Sequence, residues 1–121
     1  MSKILIVDDS PAQLYRLRKM VEEGGHQAMI ADSGEAAIEL AADENPELIL
    51  MDIVMPGMSG YQATRKLRRD ESTRHIPVIL VSSMDGEADR AWGLRQGARE
   101  YVTKPVNART LLDAISHAIA V

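Results

Sequence analysis

Leu48-Ile49-Leu50-Met51-Asp52-Ile53-Val54-Met55-Pro56-Gly57 joins an uninterrupted apolar run to an aspartate and then to a proline–glycine turn. A continuous run of four apolar residues suits a strand buried on both faces of a parallel sheet; alternation would suit a strand with one wet face. Two more runs share this character, Ile4-Leu5-Ile6-Val7 and Val78-Ile79-Leu80-Val81. Each is followed at once by polar residues, Asp8-Asp9 after the first and Ser82 after the second. Ala28-Met29-Ile30 and Tyr101-Val102 are weaker runs that read as edge strands, and Lys104 follows the latter closely.

Helical patterns fill the gaps between these runs. Ser10-Pro11 is a capping serine with a first-turn proline, followed by Leu14, Leu17 and Val21 at helical spacing and closed by Gly24-Gly25. A second helix is expected from Ser33-Gly34 to about Asp43, ended by Asn45-Pro46. A third is expected from about Ser59 to Arg69, and a fourth from about Gly86 to Gln96, ended by Gly97. The last has a stripe of Ala108, Leu111, Leu112, Ile115 and Ile119.

Five strand–helix repeats predict an α/β fold, a doubly wound five-stranded parallel sheet with five helices. The expected strand order is the flavodoxin-like 2-1-3-4-5. Ligands of such sheets sit beyond the strand C-terminal ends, at the switch between strands 1 and 3. Asp8-Asp9 and Asp52 end those two strands, so three carboxylates, the Ser82 hydroxyl and the Lys104 ammonium should share one crevice.

Composition bounds the class. The chain has 121 residues, no cysteine, four aromatics and a formal charge of −4. It is expected to be one domain over residues 1–121 with no output domain. The acidic balance argues against nucleic acid as main partner. The apolar run near the start is too short for a signal peptide or a membrane span, so a cytoplasmic location without membrane insertion is the expectation.

The crevice suggests a chemistry. Hard oxygen ligands suit Mg²⁺, and carboxylates can act as nucleophiles toward phosphoryl groups. The bland reading is that Asp8 and Asp9 cap the first helix and Asp52 is a turn residue. Placement of all three at one sheet edge favours the functional one.

These residues resemble a family. Ile4 to Ser10, Met51 to Gly60, Ile76 to Ser83, and Gly97-Ala98 through Tyr101-Val102-Thr103-Lys104-Pro105 together resemble a two-component response-regulator receiver domain of the CheY-like type. The resemblance spans essentially the whole chain. It implies that Asp52 accepts phosphate from a histidine kinase, and that Asp8, Asp9, Asp52 and the Val54 carbonyl hold Mg²⁺, with Asp9 the more direct of the first two. It further implies that Ser82 is a switch hydroxyl, the Ser83 amide and Lys104 meet the phosphoryl group, and Tyr101 is the switch aromatic. A downstream protein would bind the face of the fourth helix, fifth strand and fifth helix. Within the family, Gln62-Ala63-Thr64-Arg65 and Trp92-Gly93 followed by Arg95 to Arg99 resemble small receivers of the twitching-motility chemosensory system (PilH-like). Output would be phosphorylation-dependent binding or a phosphate sink, without enzyme activity beyond the domain's own phosphorylation and dephosphorylation.

Val54 and Met84, two residues beyond Asp52 and Ser82, cannot orient an attacking water and imply slow dephosphorylation. An aspartate-nucleophile phosphatase needs an acid at the position of Val54. A flavin-binding domain needs a glycine- and hydroxyl-rich loop where this chain has Asp8-Asp9-Ser10-Pro11. A receiver-like binding module working without phosphorylation is the remaining alternative. Trp92 reads either as a packing residue or as a partner anchor. The basic run Arg65, Lys66, Arg68 and Arg69 reads as a solvated helix face, since Asp70 and Glu71 follow at once. His26, His75 and His117 lack metal spacing.

Overall fold

The computed structural model describes residues 2–120, so the two terminal residues of the expected 1–121 domain lie outside the description. The elements follow one another as β1 (Lys3–Val7), α1 (Pro11–Glu23), β2 (Gln27–Ala31), α2 (Gly34–Glu44), β3 (Leu48–Met51), α3 (Gly60–Arg69), β4 (Val78–Ser82), α4 (Glu87–Arg95), β5 (Glu100–Thr103) and α5 (Ala108–Ala120). All strand pairs are parallel, in the order β2-β1-β3-β4-β5. The expected fold is the observed one.

The continuous apolar runs have a direct structural cause. Successive strand side chains point to opposite faces, and both faces are covered. Leu5, Val7, Ile49, Met51, Val78 and Leu80 belong to the core that includes Ala37, Ala41, Ala63 and Leu67 from α2 and α3. Ile4, Ile6, Leu48, Leu50, Ile79 and Val81 belong to the other, with Leu14, Leu17 and Val21 of α1 and Leu111 and Ile115 of α5.

Helix starts follow local chemistry. Ser10 and Ser33 accept backbone bonds from Gln13 and Ala36, and Ser59 with Gln62 forms a reciprocal capping box. Asn107 caps α5 by accepting from the Thr110 amide at 2.8 Å. The α5 stripe differs in detail from its expected form: Ala108 is exposed, while Ala114 and Ala118 are buried beside Leu111 and Ile115. Small side chains occupy the centre of the seat and the long Leu112 and Ile119 close its flanks.

Helix α4 is held differently. Gly93 is its one fully buried residue. A Cβ at Gly93 would lie 2.6 Å from Leu80 Cδ1 and 3.3 Å from the Tyr101 ring, so the helix lies close against β4 and β5 with little apolar surface of its own.

Candidate functional site: a carboxylate crevice at the strand ends

Ladder hydrogen bonds run past the last strand residues and carry the polar side chains to one edge. Val7 pairs with Met51, and the Asp52 amide donates to the Val7 carbonyl at 2.9 Å. The Asp8 amide donates to Ala31 at 3.2 Å, and the Lys104 amide to Ser82 at 2.8 Å. Residues separated by up to 96 positions thereby become neighbours.

Asp8, Asp9 and Asp52 each present a carboxylate oxygen within 4.8 Å of those of the other two. Asp8 and Asp52 are buried and Asp9 is exposed. Asp8 is fully engaged: one oxygen accepts from the Ser10 amide at 2.9 Å and the other from Lys104 Nζ at 2.9 Å. Lys104 Nζ also reaches Asp52 Oδ1 at 3.4 Å. The ammonium therefore bridges two carboxylates, following a cis Lys104–Pro105 peptide bond.

Burial pushes the Asp52 carboxyl above the usual aspartate range. Lys104 pulls it back, while the Asp8 charge adds to the rise. This is the electrostatic condition of a site short of positive charge. Three hard oxygen donors around one point, with one ammonium for three anions, fit a divalent cation.

Gly60 supports the loop beyond Asp52. Its amide donates to Ile53 at 2.8 Å, and a Cβ there would collide with the Asp52 carbonyl. Val54, two residues beyond Asp52, is 64% exposed, whereas Met84 is half-buried and packs against the core.

On the β4 side, buried Ser82 accepts the Met84 amide at 3.2 Å, and Ser83 is exposed. The Tyr101 ring is buried, and its hydroxyl donates to the Met84 carbonyl at 2.5 Å. The ring of the expected switch aromatic thus stands inward. Two residues absent from the sequence reading hold this region. Arg90 donates to the Tyr101 carbonyl at 3.0 Å and lies 5.2 Å from the ring centroid. Tyr61 donates to the Asp89 carbonyl at 3.0 Å, tying α3 to α4. Only the scarcity of aromatics could have drawn attention to Tyr61; no local pattern marks Arg90.

No helix among the described residues is long and apolar enough to cross a membrane. Comparison with known proteins agrees with the geometry. Protein PilH of Pseudomonas aeruginosa is 52% identical over 120 residues, covering 99% of both chains. The polar-differentiation response regulator DivK of Brucella ovis is 37% identical over 115 residues, covering 93% of this chain and 91% of its own. Among solved structures, a sensor histidine kinase receiver domain from Pseudomonas aeruginosa has a magnesium ion coordinated in its active-site cleft. It superposes with a TM-score of 0.92 at 28% identity, over 99% of this chain and 98% of that one. The chemotaxis protein CheY4 of Vibrio cholerae, at 24% identity and a TM-score of 0.91, shares the fold over 98% of both chains. The pattern of the response regulator receiver domain matches residues 4–116, and with the carboxylate crevice at its strand ends this chain belongs to that family of two-component signalling modules.

Proposed function

We propose that Asp52 is the phosphoacceptor of a receiver that takes its phosphoryl group from the phosphohistidine of a sensor kinase. The carrying observation is the buried Asp52 carboxylate, placed within 3.4 Å of Lys104 and beside Asp8 and Asp9. An Asp52 oxygen forms the new bond to phosphorus as the phosphorus–nitrogen bond breaks and the imidazole leaves with that electron pair. Asp9, Asp52 and the Val54 carbonyl would hold Mg²⁺, with Asp8 supporting them through its charge. The cation supplies charge neutralisation for the incoming group. Lys104 exchanges its contact with Asp52 for a phosphoryl oxygen, and the Ser82 hydroxyl and Ser83 amide are the remaining donors.

Incubation with a small acyl-phosphate donor and Mg²⁺ tests this reading. Labelling of the wild type and its loss in Asp52→Asn is the expected result. Labelling that survives the substitution would overturn it, and no labelling of the wild type would favour a binding module that works without phosphorylation.

The domain acts as a protein-binding signal or as a phosphate sink in a chemotaxis-like or twitching-motility pathway of the cytoplasm. It promotes no reaction beyond its own phosphorylation and dephosphorylation. Similarity to PilH supports the pathway, and the buried Tyr101 beneath the β4–α4 loop supports an α4–β5–α5 output face. Tyr101→Ala should abolish the difference in partner binding between the two phosphorylation states. The apolar Val54 and Met84, two residues beyond Asp52 and Ser82, support a long-lived phosphoryl group. Val54→Asn with Met84→Glu should shorten its lifetime severalfold, read as loss of phosphate from purified protein.

A further inference from the structure

Few of the described cations form ion pairs. The salt bridges join Lys3 to Glu44, Arg18 to Glu22, and Lys104 to Asp8 and Asp52. Among the described residues, Arg65, Lys66, Arg68, Arg69 and Arg95 have no carboxylate within ion-pair distance, although the chain as a whole carries a charge of −4. The acids that follow α3 form no ion pair with this run. Asp70 turns its carboxylate to the Ser72 amide and hydroxyl at 2.9 and 2.8 Å, which holds it below the usual range. Arg68 donates to the Arg74 carbonyl and Arg65 to Gln96, and what sets Arg65, Lys66, Arg69 and Arg95 apart is that they cluster on one surface.

These cations border a groove of about 580 Å³ between α3 and α4, floored by Met58, Tyr61 and Trp92. Arg65, Arg69 and Gln96 also line an adjoining depression of about 320 Å³, which Arg95 completes. Trp92 is 45% exposed, a large apolar surface left uncovered. Gln96 is 94% buried by its 6% exposure, and its Oε1 accepts from Arg65 Nε at 2.7 Å. Its Nε2 has no hydrogen-bond partner. A buried donor without an acceptor is costly, and the residue that carries it lines both depressions. The groove thus combines an apolar strip, a row of unpaired cations spaced along a helix, and an unsatisfied donor.

We propose that the α3–α4 groove is a docking site for an acidic segment of a partner protein that carries an apolar anchor residue. Trp92 and Tyr61 take the anchor, and Arg65, Lys66 and Arg69 take the flanking carboxylates. An extended segment fits better than a compact anion because Arg65 and Arg69 lie one helical turn apart and the two depressions run on from each other. The site is separate from the carboxylate crevice and does not depend on the phosphorylation reading.

Trp92 is the single tryptophan of the chain, so its emission reports on the groove. The probe is a displayed library of random twelve-residue peptides, selected on the intact wild-type chain and on Lys66→Glu/Arg69→Glu. Both targets are first shown to share the same circular dichroism and thermal midpoint, which certifies the fold of the variant without relying on phosphorylation. The expected enrichment is of peptides with two or more Asp or Glu flanking Leu, Ile, Phe or Trp. These should shift Trp92 emission, bind the charge-reversed variant at least roughly tenfold more weakly, and weaken with salt. Lys66→Gln/Arg69→Gln should lie between. No enrichment, enrichment of neutral or basic peptides, or equal binding to the reversed variant would overturn the proposal. So would a shift of Trp92 emission by micromolar ATP or inorganic phosphate, or a wild-type dimer in sedimentation that Lys66→Glu/Arg69→Glu dissolves. Those outcomes would assign the groove to a small anion or to a second copy of the chain.

Discussion

Asp52 is an uncomfortable residue in the folded chain. Its carboxyl is raised by burial first and by Asp8 second, with Lys104 opposing both. A raised acid in the folded state favours folding when protonated; that contribution is complete below the unfolded aspartate value and is lost as pH rises through the folded one. Without a divalent cation, Asp52→Asn should therefore be more stable than the wild type near neutral pH, by roughly 0.5–2 kcal/mol. The advantage should shrink as pH falls through the folded value of Asp52. Denaturant midpoints of both proteins from pH 4 to 8 in chelator provide the check, because carboxylates remote from the crevice cancel in the difference. Lys104→Met should act in the opposite direction. It strips a donor from two buried carboxylates, and a loss of about 1–3 kcal/mol is expected in the same titration. Gly60 is a steric counterpart: its Cβ would meet backbone that cannot rotate away. Gly60→Ala should cost about 1–3 kcal/mol and slow acyl-phosphate labelling, since the strain falls on Asp52 itself.

At the scale of elements, legibility in the sequence tracked how each element is held. β1, β3 and β4 were readable because both their faces are dry and their runs are unbroken. The crevice was readable for the same reason, since a parallel sheet delivers every strand end to one edge. β2 was fainter because it is an edge strand with Ile30 44% exposed. α4 is the element whose seat could not be read. It offers little apolar periodicity, and its attachment comes from Gly93, from the Tyr61 hydroxyl and from Arg90 on Tyr101. Such contacts join residues 11 and 28 positions apart and leave no local trace. The basic run is visible in the sequence, with Asp70 and Glu71 beside it. Only the structure shows Asp70 committed to Ser72. The α4 attachment has a measurable consequence. Tyr61→Phe removes one bond to Asp89 and should cost about 0.5–1.5 kcal/mol globally. Its larger effect should be faster amide hydrogen exchange confined to α4 and the β4–α4 loop. Uniform acceleration across α1 and α5 would show that Tyr61 does not hold α4 specifically.

Across the whole molecule, charge is divided between two places. The strand C-terminal edge holds three carboxylates against one ammonium, and the α3–α4 surface holds cations without acids. Folding tolerates the first imbalance because two apolar layers flank the sheet on which it sits. A cation that binds the folded crevice and not the unfolded chain must then stabilise the whole domain by mass action, by about 2.7 kcal/mol at a hundredfold excess over Kd. For a domain of this size that is a rise of about 5–15 °C in melting temperature. Mg²⁺ should produce it, EDTA should reverse it, and Asp9→Asn should lose most of it. Asp9 is the residue to change because it is exposed and has no hydrogen-bond partner among the described residues to lose; easing the repulsion in the cluster can only raise the apo melting temperature, so the Mg²⁺ increment is read against each protein's own apo value. Lys66→Glu/Arg69→Glu should keep the full Mg²⁺ response, since those side chains lie on the helical surface and not at the strand ends. An Asp9→Asn domain that still gained the full increment would place the cation elsewhere. A charge-reversed groove that lost it would mean that the two charged regions are coupled through α3.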